Sequence, residues 1–585
     1  MQFSKKIGKL ALCAALLVAC TGPVSGSKGS GPGGSAASGG SSGGSATGTP
    51  AGTSGTTTAA SGSGPVPAAG SPSSLLNLPS SPLPTRGLHK LTAWEFANSV
   101  QDLLGKDVPL APVEEDTLIG GFATVGATSV SVSPAGVDQY ETVLGAATAQ
   151  AFADVAHATA ILACVPQATT DTACLTQALS AFGRRAFRRP LTAAETTQFV
   201  NLATTIGNQS GSSALNGIRH AAWAMLQSPD FLYRVELGAP SATDGGRLKY
   251  SSFEMASRLA ATLWASVPDD ALLDAAAKDA LSTSDGSVTQ AQRMLADPRA
   301  HRAIAAFVDQ LFDAFSLSQA DKDATLFPAF TPTLRAAMLQ ELELRVDDVT
   351  FAQKADYFSL FESKSTFVNK ELATFYGLPF SATDGSFQHV DLPADSPRVG
   401  LLGAGAVLAG HAHSQLTSPT LRGKFVNEML LCRSIGAPPP GTPPLPSMAP
   451  AGSTVRQVLS LHRSSPLCAS CHGLMDPIGF GMEAFDTTGQ YRTTDNGQPI
   501  DTTGTLDHVA FSNLAELGSV LRKNAVVAPC FVSKIYENAL GRLPVDLDAV
   551  ALDKLIGQFV AGGNRVDQLL TALVGSDGFR FVAPK

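Results

Sequence analysis

Apolar residues recur at helical spacing, fenced by capping residues and stops, through nearly all of the sequence after residue 87. In the stretch Thr92–Gly105, Thr92 is placed as N-cap and Glu95 stands at the third helical position. Phe96, Val100, Leu103 and Leu104 form one apolar stripe, and Gly105 ends the pattern. Thr192 with Glu195, just after the break at Pro190, repeats the signal, and Glu254 in the segment 252–263 repeats it again. Further helices are expected over 290–315, from Thr331-Pro332 through Glu341 and Glu343, over 369–376, and in the tail at 520–540 and 552–579. Strand-like alternation is scarce, so the expected fold is mostly α. Roughly 500 residues are too many for one core, so several helical modules in series are expected, bounded at 87–160, 161–240, 247–380, 396–495 and 499–581. The four arginines Arg184, Arg185, Arg188 and Arg189 read as a solvated, ion-paired helix end.

Two stretches near the start fall outside the pattern. Residues 1–20 have a basic start (Lys5, Lys6, Lys9), an apolar run from Leu10 to Val18 and the ending Leu17-Val18-Ala19-Cys20. The run is too short to span a bilayer and reads as a secretory signal. Its ending resembles a bacterial lipoprotein box, which makes Cys20 the lipidated first residue of the mature chain. Thr21 after it points, by the same resemblance, to the outer membrane. Residues 21–86 are dominated by Gly, Ser, Thr, Ala and Pro, too little apolar surface to offset the entropy of ordering, and a disordered tether is expected. A net charge of −8 and the lack of a basic tail argue against nucleic acid as a partner. No later apolar run reaches the ~20 residues of a spanning helix, which leaves the lipid as the only membrane attachment.

The chemistry-bearing stretch lies in the last quarter, where Cys468-x-x-Cys471-His472 has the spacing of a c-type haem attachment site. Two thiols three positions apart can reach the two vinyl groups on one porphyrin edge, and the adjacent imidazole of His472 can meet the iron. Export strengthens this reading. Its competitors are a structural or redox disulfide between Cys468 and Cys471, and zinc, for which Cys432, His462 and His411 stand only at irregular distances.

Several phrases occur in a fixed order: Leu91-Thr-Ala-Trp-Glu-Phe through Gly105, Arg185-Ala-Phe-Arg-Arg-Pro-Leu-Thr192, Ser228-Pro-Asp-Phe-Leu-Tyr-Arg234, Phe367-Val-Asn-Lys-Glu-Leu-Ala through Gly377, Thr417-Ser-Pro through Gly423, and Cys468 through Arg492. With them the chain resembles the multidomain proteins of planctomycetes and myxobacteria described as planctomycete-type cytochrome-C-associated domain proteins. The resemblance covers nearly everything after the tether and implies a small cytochrome-c-like helical module at 396–495. It implies no reaction, because that family has no established activity.

Of eight cysteines, Cys13 leaves with the signal, Cys20 takes the lipid, and Cys468 and Cys471 take the haem. Cys164 and Cys174 lie ten residues apart in a polar loop that suits a local disulfide. Cys432 and Cys530 are left as a long-range pair, although sequence alone leaves other pairings open. The second axial ligand is harder to place. Met475, one turn from His472, points to the same side, and Met482 reads as core packing. His462 falls on the apolar face of a short helix leading into the motif and is the distal candidate, with Met448, His411 and His413 behind it. Hydrolase motifs are missing. Two functions follow: an exported, lipid-anchored c-type haem protein that transfers electrons or acts as a haem-dependent oxidoreductase with an envelope redox partner, or a surface scaffold lipoprotein for an extracellular ligand, with a structural Cys468–Cys471 pair.

Overall fold

The computed structural model describes residues 70–80, 87–105, 108–242, 244, 247–436, 450–464 and 466–582. The signal, Cys20, most of the expected tether, and the proline-rich residues 437–446 with Met448 lie outside the described residues.

Helices dominate, and their starts are set locally. The box at Thr92 closes both ways: Glu95 N donates to Thr92 Oγ1 at 3.2 Å and Thr92 N to Glu95 Oε2 at 2.9 Å. Boxes at Thr192/Glu195 and Ser251/Glu254 form in the same way, each satisfying amide donors that a helix start leaves unpaired. Strand β1 (Gly87–Lys90) leads into helix α1 (Ala93–Leu104). Helices α2 (Thr172–Ala186), α3 (Ala193–Gly207) and α4 (Ala214–Leu226) follow, and β2 (Tyr233–Glu236) returns to pair antiparallel with β1. These elements enclose one core, from Leu91 to Leu232 with Val267 added.

A second, larger core runs from Leu76 to Val582. It is built on helices α5 (Ser252–Trp264), α6 (Arg299–Leu311) and α7 (Pro332–Asp347), on α8 (Pro419–Phe425), and on α9 (Val527–Leu540). The described residues form one compact unit. The five expected modules are therefore not five separate bodies: the first two lie mostly around one core and the last three mostly around the other, with Phe122 and Val125 of the first entering the larger core. The reason is closure over long sequence distances. In a three-stranded sheet, β4 (Leu248–Lys249) pairs on one side with β3 (Ala239–Pro240) and on the other with β5 (Phe581–Val582). Cys432 is disulfide-bonded to Cys530, and Cys164 to Cys174.

Two expectations need correcting. Part of the stretch read as tether is ordered: Pro72–Leu76 forms a 3-10 turn, Ser73 N donates to Asp553 Oδ1 at 2.7 Å, and Leu76 enters the second core. Leu76 and Leu78 supply the apolar anchors that the tract otherwise lacks. Nor is the arginine cluster a solvated helix end throughout. Arg188 is buried, in left-handed backbone (φ 59°), and its guanidinium donates to the carbonyls of Asp230 and Phe231 at 3.1 and 2.9 Å. It holds the turn before β2, while Arg184 and Arg189 make the surface ion pairs.

Where the two cores meet, Glu236 is buried between Arg234 (2.7 Å), His89 (3.3 Å) and Arg258, and Arg258 Nε also donates to Phe579 O at 3.1 Å. Burial alone would push the Glu236 carboxyl up. Arg258, His89 and Arg234 outweigh it and bring the pKa down to about 2.

Candidate haem-attachment site

The motif lies on one helix, Pro466–Gly479, which carries Pro477 within it. Cys468, Cys471 and His472 stand at i, i+3 and i+4, so they share one face. Glycines seat this helix on α8. A Cβ at Gly423 would run into the carbonyl of Met475, and one at Gly479 into that of Pro419, so the two backbones touch. Asn427 Nδ2 bridges them, donating to Gly423 O at 2.9 Å and Leu474 O at 3.1 Å. A small separate core of Val455, Leu459 and Phe480, with Leu416 against it, seats the preceding helix, Val455–His462. Arg456 and Arg463 lie over the Phe480 ring.

The imidazole of His472 is oriented by a residue that sequence reasoning passed over. Asp476, one turn later and wholly buried, has both carboxylate oxygens 3.1 Å from His472 Nδ1. Thr420 Oγ1 donates to Asp476 Oδ1 at 2.8 Å, and Arg463 Nε stands 3.9 Å from Oδ2. Donors on every side make the carboxylate an acceptor, which assigns the proton to Nδ1 and leaves the lone pair on Nε2. Burial pushes the Asp476 carboxyl above its ordinary range, while Thr420 and His472 pull it back. The signal was present: an acid at i+4 from the histidine, set between apolar Met475 and Ile478. Thr420, 52 residues from His472, gave none.

Cys468 and Cys471 are free thiols, half-buried on the helix, so the structural disulfide of the alternative reading is not formed. No group of three or more His, Cys, Asp or Glu among the described residues is arranged to hold a bare metal ion, and Cys432, one of the zinc candidates, is in a disulfide. The donor set does fit a haem. Two free thiols share a face with an imidazole whose Nε2 is available, and the flanking Leu461 and Leu474 are 77% and 56% exposed, apolar surface of the kind a porphyrin covers.

His462 is brought to the site, but beside His472 rather than opposite it. The rings meet edge-to-face with centroids 4.8 Å apart. Imidazoles on opposite sides of one iron hold their donor nitrogens about 4 Å apart, at roughly 2 Å per bond. Their centroids are farther apart again by a ring radius at each end, so the observed spacing leaves no room for a metal between them. Met482 is fully buried in the second core and Met475 is buried on the helix. His411 is buried against Phe425 with Nδ1 bonded to Val407 O.

The same region is framed by Arg422, fully buried, which donates to the carbonyls of Leu408, Met482, Phe485 and Asp486 and faces Glu483 at 3.4 Å. Five family models cover the chain in order, each described as a protein of unknown function: DUF1587 over 89–153, DUF1595 over 174–236, DUF1592 over 250–378, DUF1588 over 398–495 and DUF1585 over 507–579. The chain carries all five of these domains. Their family names belong to a planctomycete cytochrome-C-associated series, and DUF1588 is the domain that contains Arg422, the glycine-seated helix and the motif itself. The chain matches no curated protein and no solved structure.

Proposed function

We propose that this protein is an exported c-type haem protein that exchanges electrons with a partner in the cell envelope. Cys468 and Cys471 attach the haem through thioethers, and His472 ligates the iron through Nε2. The observation that carries this reading is the His472–Asp476 pair. A ligating histidine characteristically donates its second nitrogen to a carboxylate, which fixes its tautomer and raises its basicity, and here a buried acid is held in that place by Thr420. The cytochrome-associated name of the domain around the motif supports the same reading.

A haem bound there would supply a one-electron couple at its iron. The chain's own residues bind it, orient the imidazole and hold the proton on Nδ1. The half-exposed setting of Cys468 and Cys471 suits exchange with a partner at the surface. Export fits the two disulfides, which belong to an oxidising compartment. No helix among the described residues is long and apolar enough to cross a membrane, and attachment is assigned to a lipid on Cys20 in the outer membrane.

The test is protein exported together with a c-type maturation system, denatured and examined as its pyridine haemochrome. One covalent haem per chain is expected, lost when both Cys468 and Cys471 are replaced by Ser. Correctly exported protein without covalent haem would reject the proposal. Cys20→Ser should release the protein from membranes without unfolding it.

A further inference from the structure

Directly after α8, the helix against which the motif helix is seated, the backbone departs from regular winding. Val426–Leu430 forms a π-helical turn, a rare form that recurs at functional sites. Asn427, in that turn, is wholly buried and donates its side-chain N–H groups to two carbonyls, Gly423 O and Leu474 O. This fixes the orientation of its amide and leaves Oδ1 without a hydrogen-bond partner among the described residues, which is costly for a buried acceptor. Two residues past the turn, Cys432 takes left-handed backbone (φ 50°), a region that favours glycine.

Departures of this kind persist only where the surrounding structure holds them, and they gather at switch regions. Upstream, α8 is held by backbone contact at Gly423 and Gly479 and by Thr420 on Asp476. Downstream, past Leu431 in the larger core, the polar and covalent ties among the described residues are the bond from Cys432 to Cys530 on α9 and the surface pair of Arg433 with Asp507 at 2.6 Å. An exposed ion pair holds little, so the disulfide is what keeps this end wound. Cys530 is wholly buried, whereas Cys432 is half-buried and lines a cleft of about 760 Å³, which gives an attacking thiol its way in.

We propose that the Cys432–Cys530 disulfide is a redox lock on the motif helix, opened by a dithiol of the cell envelope. One donor thiolate attacks Cys432 Sγ from the cleft, and the S–S electron pair leaves with Cys530 Sγ, which takes up a proton. The donor's second thiolate then attacks the donor's bonded sulfur. Cys432 leaves as a thiol and the donor as a disulfide, two electrons and two protons having passed to the protein. With that end free, the π turn relaxes, Asn427 lets go of Leu474 O, and the motif helix loses a bridge two residues from His472. On the haem reading proposed above, on which this last consequence rests, His472 then holds the iron less tightly.

Amide hydrogen exchange in the full chain without haem tests the lock apart from that reading. Opening the bond, by Cys432→Ser together with Cys530→Ser, should speed exchange in the motif helix about tenfold or more, and in α2–α4 by less than about twofold. Asn427→Ala should speed it with the bond intact, and opening the bond as well should then add less than about twofold. Unchanged exchange in the motif helix, equal acceleration in α2–α4, or full additivity with Asn427→Ala would overturn the proposal. Should the double Ser variant fail to fold, stepwise reduction of the native chain by dithiothreitol, with alkylation reporting which bond has opened, decides on the same criteria. In haem-loaded protein, imidazole should displace His472 at a severalfold lower concentration once the bond is open, and an unmoved displacement would overturn the step to the iron. A chain that takes no covalent haem would reject the haem reading and leave the exchange result to decide on the lock.

Discussion

Asp476 lies four residues after His472, and its two carboxylate oxygens are equidistant, at 3.1 Å, from the imidazole Nδ1. The acid is wholly buried while the imidazole side chain is 15% exposed, so the pair points from the protein interior outward to the face that carries Cys468 and Cys471. Replacing such a carboxylate weakens a histidine's hold on a metal by about 10–100-fold. Asp476→Asn should therefore keep its covalent haem, because the thioethers are untouched. The transition in which added imidazole displaces His472 should move to an about 10–100-fold lower imidazole concentration, since His472 then holds the iron less tightly. An unmoved transition would mean that Asp476 only packs the helix.

His462 gives a prediction of the opposite kind. Because it flanks His472 rather than facing it, His462→Ala should leave the spin state of the haem protein as it is in the wild type. Conversion from low to high spin would show that the helix Val455–His462 rearranges when haem is attached.

Much of this architecture could be read locally. The boxes at Thr92, Thr192 and Ser251 are decided within four residues, so their helices were visible in the sequence. What was not visible depends on partners far along the chain. Arg188 looks like any exposed arginine until the carbonyls of Asp230 and Phe231 close over it. That the five stretches pack around shared cores was not visible, because Phe581 and Leu248 carry no sign that their strands pair. His462 shares a helix face with Val455 and Leu459, but helical phase cannot say on which side of His472 that face arrives.

Arg422 should be the most sensitive position in the domain around the motif. Arg422→Met would leave four buried carbonyls without their donor and Glu483 without its main counter-charge. Breaking one side of a buried pair costs about 3–5 kcal/mol, measurable by urea denaturation. A cost under about 1 kcal/mol, typical of surface ion pairs, would show that water replaces the guanidinium.

Stability should peak on the acid side of neutrality. Burial raises Glu537 from 4.5 to about 7 despite Lys534 beside it, and Asp116 to about 6. For both, the folded state binds the proton more tightly than the unfolded one, so stability falls as pH rises through that window. Glu236, held at about 2, acts oppositely: its contribution is present above 4.5 and is lost as pH falls towards 2. The free energy of unfolding should thus be greatest near pH 5 and lower at pH 8. Glu537→Gln should shrink that difference by on the order of 3 kcal/mol, and an unchanged difference would reject the assignment.

The Cys432–Cys530 bond closes a ring of chain in which the whole haem motif is contained. A protease that cuts once anywhere inside that ring releases nothing, because both new ends remain tied through the sulfurs. Nicked protein would run as a single band until a thiol reductant is added, and only then separate into fragments. With the proposed haem and lipid attached, a cut of this kind would leave the haem tethered to the membrane.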